Sequence, residues 1–237
     1  MSLLPRNPYA LTQITQAVGL AWGAKIRKQD VVTVSYFGDG ATSSNDFHAG
    51  MNFAGVFQVP TIFLLRNNGW AISVPAAEQT HSRTYADKGI AYGVPGIRVD
   101  GNDALAVYAA TAEAIERASR GDGPTLLELY TYRSGPHSSS DVPTAYRDAA
   151  ETEEELKRDP VRRLRRYLER EGAWSDAEQA RFEEESNAEI AACVEKAEAT
   201  PAPSLGSMFE EVFEHMPQHL EEQRAECVNG PRTRKRH

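Results

Sequence analysis

Short apolar runs, each stopped by glycine or a polar turn and separated by helix-like stretches, constrain this chain more than any other feature. Val31 to Phe37, Thr61 to Leu65, Ile97 to Val99 and Thr125 to Tyr130 are rich in β-branched, aromatic and leucine side chains and read as buried strands. Between them lie helical patterns. Leu11, Ile14, Val18, Trp22 and Ile26 recur at three- and four-residue steps; Phe47, Met51 and Ala54 share one side of a second helix; Leu105, Tyr108, Ala112 and Ile115 mark a third. Strands alternating with helices predict an α/β fold, a mostly parallel sheet flanked by helices. In such sheets ligands bind beyond the carboxyl ends of the strands. Residues 70–96 lack periodicity and hold several Gly and Pro, which predicts a long functional loop.

From about residue 150 the composition shifts to helix formers and charge, so residues 1–148 are expected to form the α/β domain and 149–237 a helical extension. Thr152 with Glu155 and Ser175 with Glu178 have capping-box spacing, and Asp159-Pro160 suits a helix start. Val161, Leu164 and Leu168 form one stripe, Phe182, Ile190 and Val194 another. Phe209, Val212, Phe213 and Met216 predict a last helix before Pro217. Arg232 to His237 is a short polar, basic tail.

Charge and cysteine usage narrow the setting. A net charge of −8 argues against non-specific binding to nucleic acid, whose phosphates need a basic face. Cys193 and Cys227 show neither a disulfide framework nor metal spacing. No apolar run approaches the roughly 20 residues that span a bilayer, and Met1 to Arg6 has no signal-peptide core. A soluble intracellular protein is expected, in a bacterial cytoplasm or else a mitochondrial matrix, with neither nucleic acid nor membrane as partner.

The chemistry concentrates at two strand ends. Gly38-Asp39-Gly40 follows the first strand and Arg66-Asn67-Asn68 the second, with one helix between, so both should reach the same edge of the sheet. Gly40 and Ala41 lack bulk and would let backbone N–H groups approach a diphosphate. An aspartate there would repel a diphosphate unless a hard dication intervened. Mg²⁺ prefers oxygen and is held by one or two protein groups plus phosphate oxygens. Asp39 can supply a carboxylate, Asn68 an amide oxygen, Trp70 its backbone carbonyl, and Arg66 a guanidinium for a phosphate or polar ring. Gly121-Asp122-Gly123 lacks a downstream asparagine pair and reads as a turn. Gly38-x-Gly40-x-x-Ser43 half-matches a dinucleotide fingerprint, but Arg66-Asn67-Asn68 stands where ribose would want an acid.

Gly38-Asp39-Gly40 with Asn67-Asn68 resembles the signature of thiamine-diphosphate enzymes. The flanks, His48 to Ala54, Arg66 to Ser73 and Arg98 to Asp103, resemble the alpha subunit of 2-oxo acid dehydrogenases. Ser138-Ser139-Ser140-Asp141, Ala145-Tyr146-Arg147 and Met216-Pro217 are more like its branched-chain member. The resemblance implies thiamine diphosphate and Mg²⁺ as cofactors, and Gly40, Ala41, Arg66 and His137 as cofactor contacts. It implies Asp39, Asn68 and Trp70 as metal ligands, and His137 as the active-site histidine that assists acyl transfer to a lipoyl group. The implied reaction is oxidative decarboxylation of branched-chain 2-oxo acids such as 3-methyl-2-oxobutanoate. A pyruvate or acetoin dehydrogenase alpha subunit, and a non-catalytic subunit-binding fragment, stand as alternatives. Implied partners are a beta subunit in an α₂β₂ heterotetramer, a lipoyl-bearing acyltransferase core, and a separate chain supplying an N-terminal portion expected to be missing. Ser138 matches a position phosphorylated in animal relatives; Thr12 and Gln13 match potassium ligands there, although Asn7-Pro8-Tyr9 departs from the pattern.

Overall fold

The computed structural model describes residues 12–211 and 213–230. Leu11, Val212, Asn7 to Tyr9 and the basic tail, all named above, lie outside the described residues. In chain order the elements are α1 (Thr12–Ile26), β1 (Thr33–Gly38), a 3-10 turn (Asp39–Ser43), α2 (Asn45–Phe57), β2 (Thr61–Asn67), β3 (Trp70–Ala71), β4 (Val74–Pro75), α3 (Ala76–Gln79), a second 3-10 segment (Ala86–Tyr92), β5 (Gly96–Asp100), α4 (Ala104–Ser119) and β6 (Thr125–Tyr130). There follow a short 3-10 turn (Pro143–Ala145), α5 (Ala149–Leu156), α6 (Pro160–Arg170), α7 (Asp176–Glu198), α8 (Ser207–Glu210) and α9 (Gln218–Asn229).

Strands β1, β2, β6 and β5 lie side by side in that order, and every neighbouring pair is parallel. The expected mostly parallel sheet flanked by helices is therefore present. Strand alternation sorts its side chains between two cores. Phe63 and Leu65 of β2 join Phe37, Leu126, Ile14 and Val18 of α1, and Phe47 and Met51 of α2. Ile62 and Leu64 pack with Leu127, Leu129 and Ala114 of α4 on the other face. Phe47 and Phe63 are fully buried, and truncating such a side chain to alanine costs about 3–5 kcal/mol.

Several expected stripes are corrected. On α1 the buried positions are Ile14, Ala17, Val18, Ala21 and Ala24, whereas Ile26 is 62% exposed; at 3.6 residues per turn Ile26 sits about 120° around the helix from Ile14. On α4 it is Ala114 and Ala118 that are buried, and Leu105, Tyr108 and Ile115 face outward. Small side chains let that helix lie close on the sheet, and they carry little periodic signal. Residues 70–96 hold the β3–β4 hairpin, α3 and a 3-10 segment instead of continuous loop. Thr152 lies inside α5, whose N-cap is Asp148. Ser175 and Asp159 cap α7 and α6 as expected. Among the described residues the segment expected to form a helix before Pro217 holds only the short α8; Pro217 itself is the N-cap of α9.

By contacts the chain divides between Ala173 and Trp174. The first unit takes in α5 and α6 of the segment expected to form the extension: Tyr132 Oη and Thr152 Oγ1 are 3.1 Å apart, and Arg163 reaches Asp100 and Asp103 at 2.6 and 2.7 Å. The second unit contains α7, α8 and α9, with Arg224 paired to Glu210 at 2.7 Å. Among the described residues no helix is long and apolar enough to cross a membrane.

Candidate functional site at the carboxyl rim of the sheet

Parallel pairing sends every strand's carboxyl end to one rim. Gly38 of β1 is level with Arg66 of β2, so Asp39 and the pair Asn67-Asn68 emerge side by side. Asn67 is in turn level with Tyr130, and the Thr131 N–H donates to the Asn67 carbonyl at 2.8 Å. The segment that carries His137 thus leaves the same rim.

Asp39 is 1% exposed, and among the described residues its carboxylate accepts a hydrogen bond from Gln79 Nε2 at 2.8 Å. Tyr85 Oη donates to the other end of that amide, Gln79 Oε1, at 3.2 Å. Burial, and then the negative charges of Asp39 and Glu128, push the Tyr85 phenol well above its ordinary range, so it stays a donor. Asn68 Oδ1 accepts the Trp70 N–H at 3.1 Å, which leaves the oxygen a second lone pair. One carboxylate, one amide oxygen and one backbone carbonyl are hard oxygen donors of the kind a small dication takes. Clusters of three or more His, Cys, Asp or Glu that could hold a metal are absent among the described residues.

The small residues serve packing. A Cβ on Gly40 would come within 2.8 Å of the Ala71 Cβ, so this glycine lets the β3–β4 hairpin close against the Asp39 turn. Ala41 is 8% exposed and belongs to the hydrophobic core. Helix α2, which follows the Asp39 turn, starts at Asn45, and its first turn is already capped by Ser44 Oγ, which accepts the Phe47 N–H at 3.3 Å. Arg66 falls on the opposite face of β2 from Asn67, the face of Ile62 and Leu64, and is exposed. No hydrogen bond or ion pair among the described residues joins it to Asp39 or Asn68.

The histidine loop is tied at its base. His137 and Ser138 are exposed, but the His137 N–H donates to Asp141 Oδ2 at 2.7 Å. Tyr146 Oη donates to the same oxygen at 2.7 Å and accepts from Arg133 Nη2 at 2.7 Å. Arg133 Nη2 also donates to the Ile72 carbonyl at 2.6 Å, and the Trp70 and Tyr146 rings lie 5.3 Å apart. Hairpin and loop are cross-linked twice, by a guanidinium and by a ring contact. His48 meets the Tyr92 hydroxyl instead of entering this site.

Sequence reasoning missed Gln79, Tyr85 and Glu128. The first two lie in a stretch without periodicity. Glu128 had a signal, a lone acid inside the apolar run Thr125 to Tyr130.

The family model described as dehydrogenase E1 component matches residues 2–205 of this chain. The pyruvate dehydrogenase E1 component subunit alpha of Staphylococcus epidermidis is 45% identical over 212 residues, covering 89% of this chain and 57% of that protein. The protein of the same name from Staphylococcus aureus is 46% identical over the same shares. This chain therefore spans a little over half the length of these curated relatives. A solved structure from Mycobacterium smegmatis, provisionally described as a thiamin diphosphate-dependent enzyme, superimposes with a TM-score of 0.40 at 25% identity over 51% of this chain and 22% of that one, too slight a likeness to argue from. On the match over residues 2–205, the chain belongs to the dehydrogenase E1 component family.

Proposed function

We propose that this chain supplies the cofactor-holding part of the alpha subunit of a thiamine-diphosphate-dependent 2-oxo acid dehydrogenase. The observation that carries this reading is the pairing of β1 with β2, which brings a buried carboxylate and an asparagine amide out at one rim. Asp39, Asn68 and the Trp70 carbonyl would hold Mg²⁺ against the diphosphate. Gln79 keeps the Asp39 carboxylate in place. Thiamine diphosphate, when bound, supplies the electron sink for loss of CO₂ from the 2-oxo acid. His137, whose main chain is pinned by Asp141, would hold or move a proton during acyl transfer to a lipoyl group. Gly40, Ala41 and Arg66 are proposed as further cofactor contacts; Gly40 lies where a Cβ would meet Ala71, Ala41 is packed in the core, and Arg66 is exposed on the other face of β2 from Asn67.

Pyruvate is the substrate favoured by the names of the Staphylococcus relatives. The branched-chain reading rests on Ser138 to Asp141, Ala145 to Arg147 and Met216-Pro217. A beta subunit, a lipoyl-bearing acyltransferase core and the remainder of the alpha subunit complete the proposed assembly.

Calorimetry with thiamine diphosphate and Mg²⁺, on the chain alone and mixed with a beta subunit, tests the reading. Heat that requires Mg²⁺ and vanishes in Asp39→Ala is expected. No binding in any mixture, or unchanged affinity in that variant, refutes it. Decarboxylation of pyruvate against 3-methyl-2-oxobutanoate by the reconstituted complex separates the two substrates.

A further inference from the structure

A glutamate in the middle of a central parallel strand is a costly residue. Glu128 is 0% exposed, with Leu126, Leu127 and Leu129 around it, and an ionised carboxylate in such a place persists only where donors surround it. Its partners come from three separate elements. Oε1 accepts Asn67 Nδ2 at 2.8 Å, Oε2 accepts the Ala86 N–H at 2.9 Å, and Arg98 Nε of β5 stands 3.4 Å from Oε1. The other end of the Asn67 amide, Oδ1, accepts the Gly69 N–H at 3.1 Å. Gly69 has a φ of +83°, and Asn68 Oδ1 accepts the Trp70 N–H one residue later. One unbroken line of hydrogen bonds therefore runs from the sheet interior to the turn that presents Asn68.

We propose that Glu128 is a positioning residue: its carboxylate fixes the orientation of the Asn67 amide, and through it the turn that aims Asn68 into the site. The metal-ligand role of Asn68 is taken from the function proposed above; the hold on the turn is not. The chemistry explains why the residue is an acid. Asn67 Nδ2 and the Ala86 N–H are both donors, so the group between them must accept twice at the same time. A glutamine has one acceptor end, and its amino end would confront one of those donors. If Asn67 turned over to relieve that clash, its own amino group would face the Gly69 N–H and the turn would lose its bond.

The same logic supplies the test. In Glu128→Gln, exchange of the Gly69 amide is expected to speed by about tenfold, the loss of one or two net hydrogen bonds, while amides of β1 keep their protection. Adding Asn67→Asp makes the pair complementary again. The new carboxamide at 128 donates to the new carboxylate at 67 and still accepts from Ala86, the second oxygen at 67 still accepts from Gly69, and the net charge is that of the parent. This double variant is expected to restore slow exchange at Gly69, whereas Asn67→Asp alone sets two carboxylates face to face and does not. If Glu128→Gln loosens the whole sheet instead, recovery in the double variant still supports the proposal, and no recovery overturns it. Unchanged Gly69 exchange in Glu128→Gln also overturns it. Titration of Mg²⁺ at fixed thiamine diphosphate gives the second readout, with the metal midpoint rising in the single variant and returning in the double. Should the parent chain, with its beta subunit, bind no cofactor, the functional reading fails, and the exchange data still decide what Glu128 does.

Discussion

Tyr146 and Asp141 close the base of the histidine loop: the phenol donates to Asp141 Oδ2 at 2.7 Å, and that same oxygen takes the main-chain N–H of His137 at 2.7 Å. One carboxylate oxygen thereby sets where the His137 backbone stands, and Arg133 ties the phenol to the hairpin at Ile72.

This arrangement has an acid limit. The His137 N–H first, then Tyr146 and the charge of Arg133, hold the Asp141 carboxyl below its usual range against the opposing effect of burial. A lowered folded pKa means the clamp is whole above the ordinary carboxylate value of about 4 and is lost as pH falls through the lower folded value. Amide exchange over residues 134–140, corrected for its intrinsic pH dependence, should show protection at neutral pH that disappears in strong acid before that of β1. Asp141→Ala, which removes the accepting oxygen, should show the loosened state at neutral pH already. Equal protection in the two proteins at pH 7 would remove Asp141 from the clamp.

Gly40 and Ala71 form a size-matched pair. A methyl at position 40 meets the Ala71 Cβ at 2.8 Å, closer than carbon atoms pack. Gly40→Ala should lower stability by about 1–3 kcal/mol in urea unfolding. Adding Ala71→Gly should return most of that loss, and a double variant no better than the single one would show that the clash lies elsewhere.

Gly69 is tested through its backbone. Nothing stands within 4 Å of where its Cβ would be, yet its φ is +83°. Alanine there meets only the conformational penalty of the left-handed region, about 1–2 kcal/mol. Gly69→Ala should shift the urea midpoint by that amount, and a neutral result would mean the turn takes another shape.

Much of the architecture is legible in the chain because it follows short-range rules. Thr125–Tyr130 is bounded by turns and matches its strand residue for residue, and the glycines around Asp39 mark the end of β1. That Asp39 and Asn68 share a rim follows from parallel pairing through one helix, with no knowledge of side chains. What could not be read is set by long-range packing. Glu128 binds Asn67 and Ala86 across 61 and 42 residues of sequence, and no local pattern encodes such a bond. On α4 the inward face is written in alanines, so Leu105, Tyr108 and Ile115 drew the eye to the outward side.

The ring contact between Trp70 and Tyr146 gives the site its own optical reporter. The chain has three indoles; Trp22 is packed beside Phe53 and Phe57, and Trp174 lies beside Phe182 in the second unit. Any event that lifts the Tyr146 segment from the hairpin changes the surroundings of one indole and leaves the other two alone. Emission from a protein with Trp22 and Trp174 replaced by phenylalanine would follow the histidine segment in real time without an added dye.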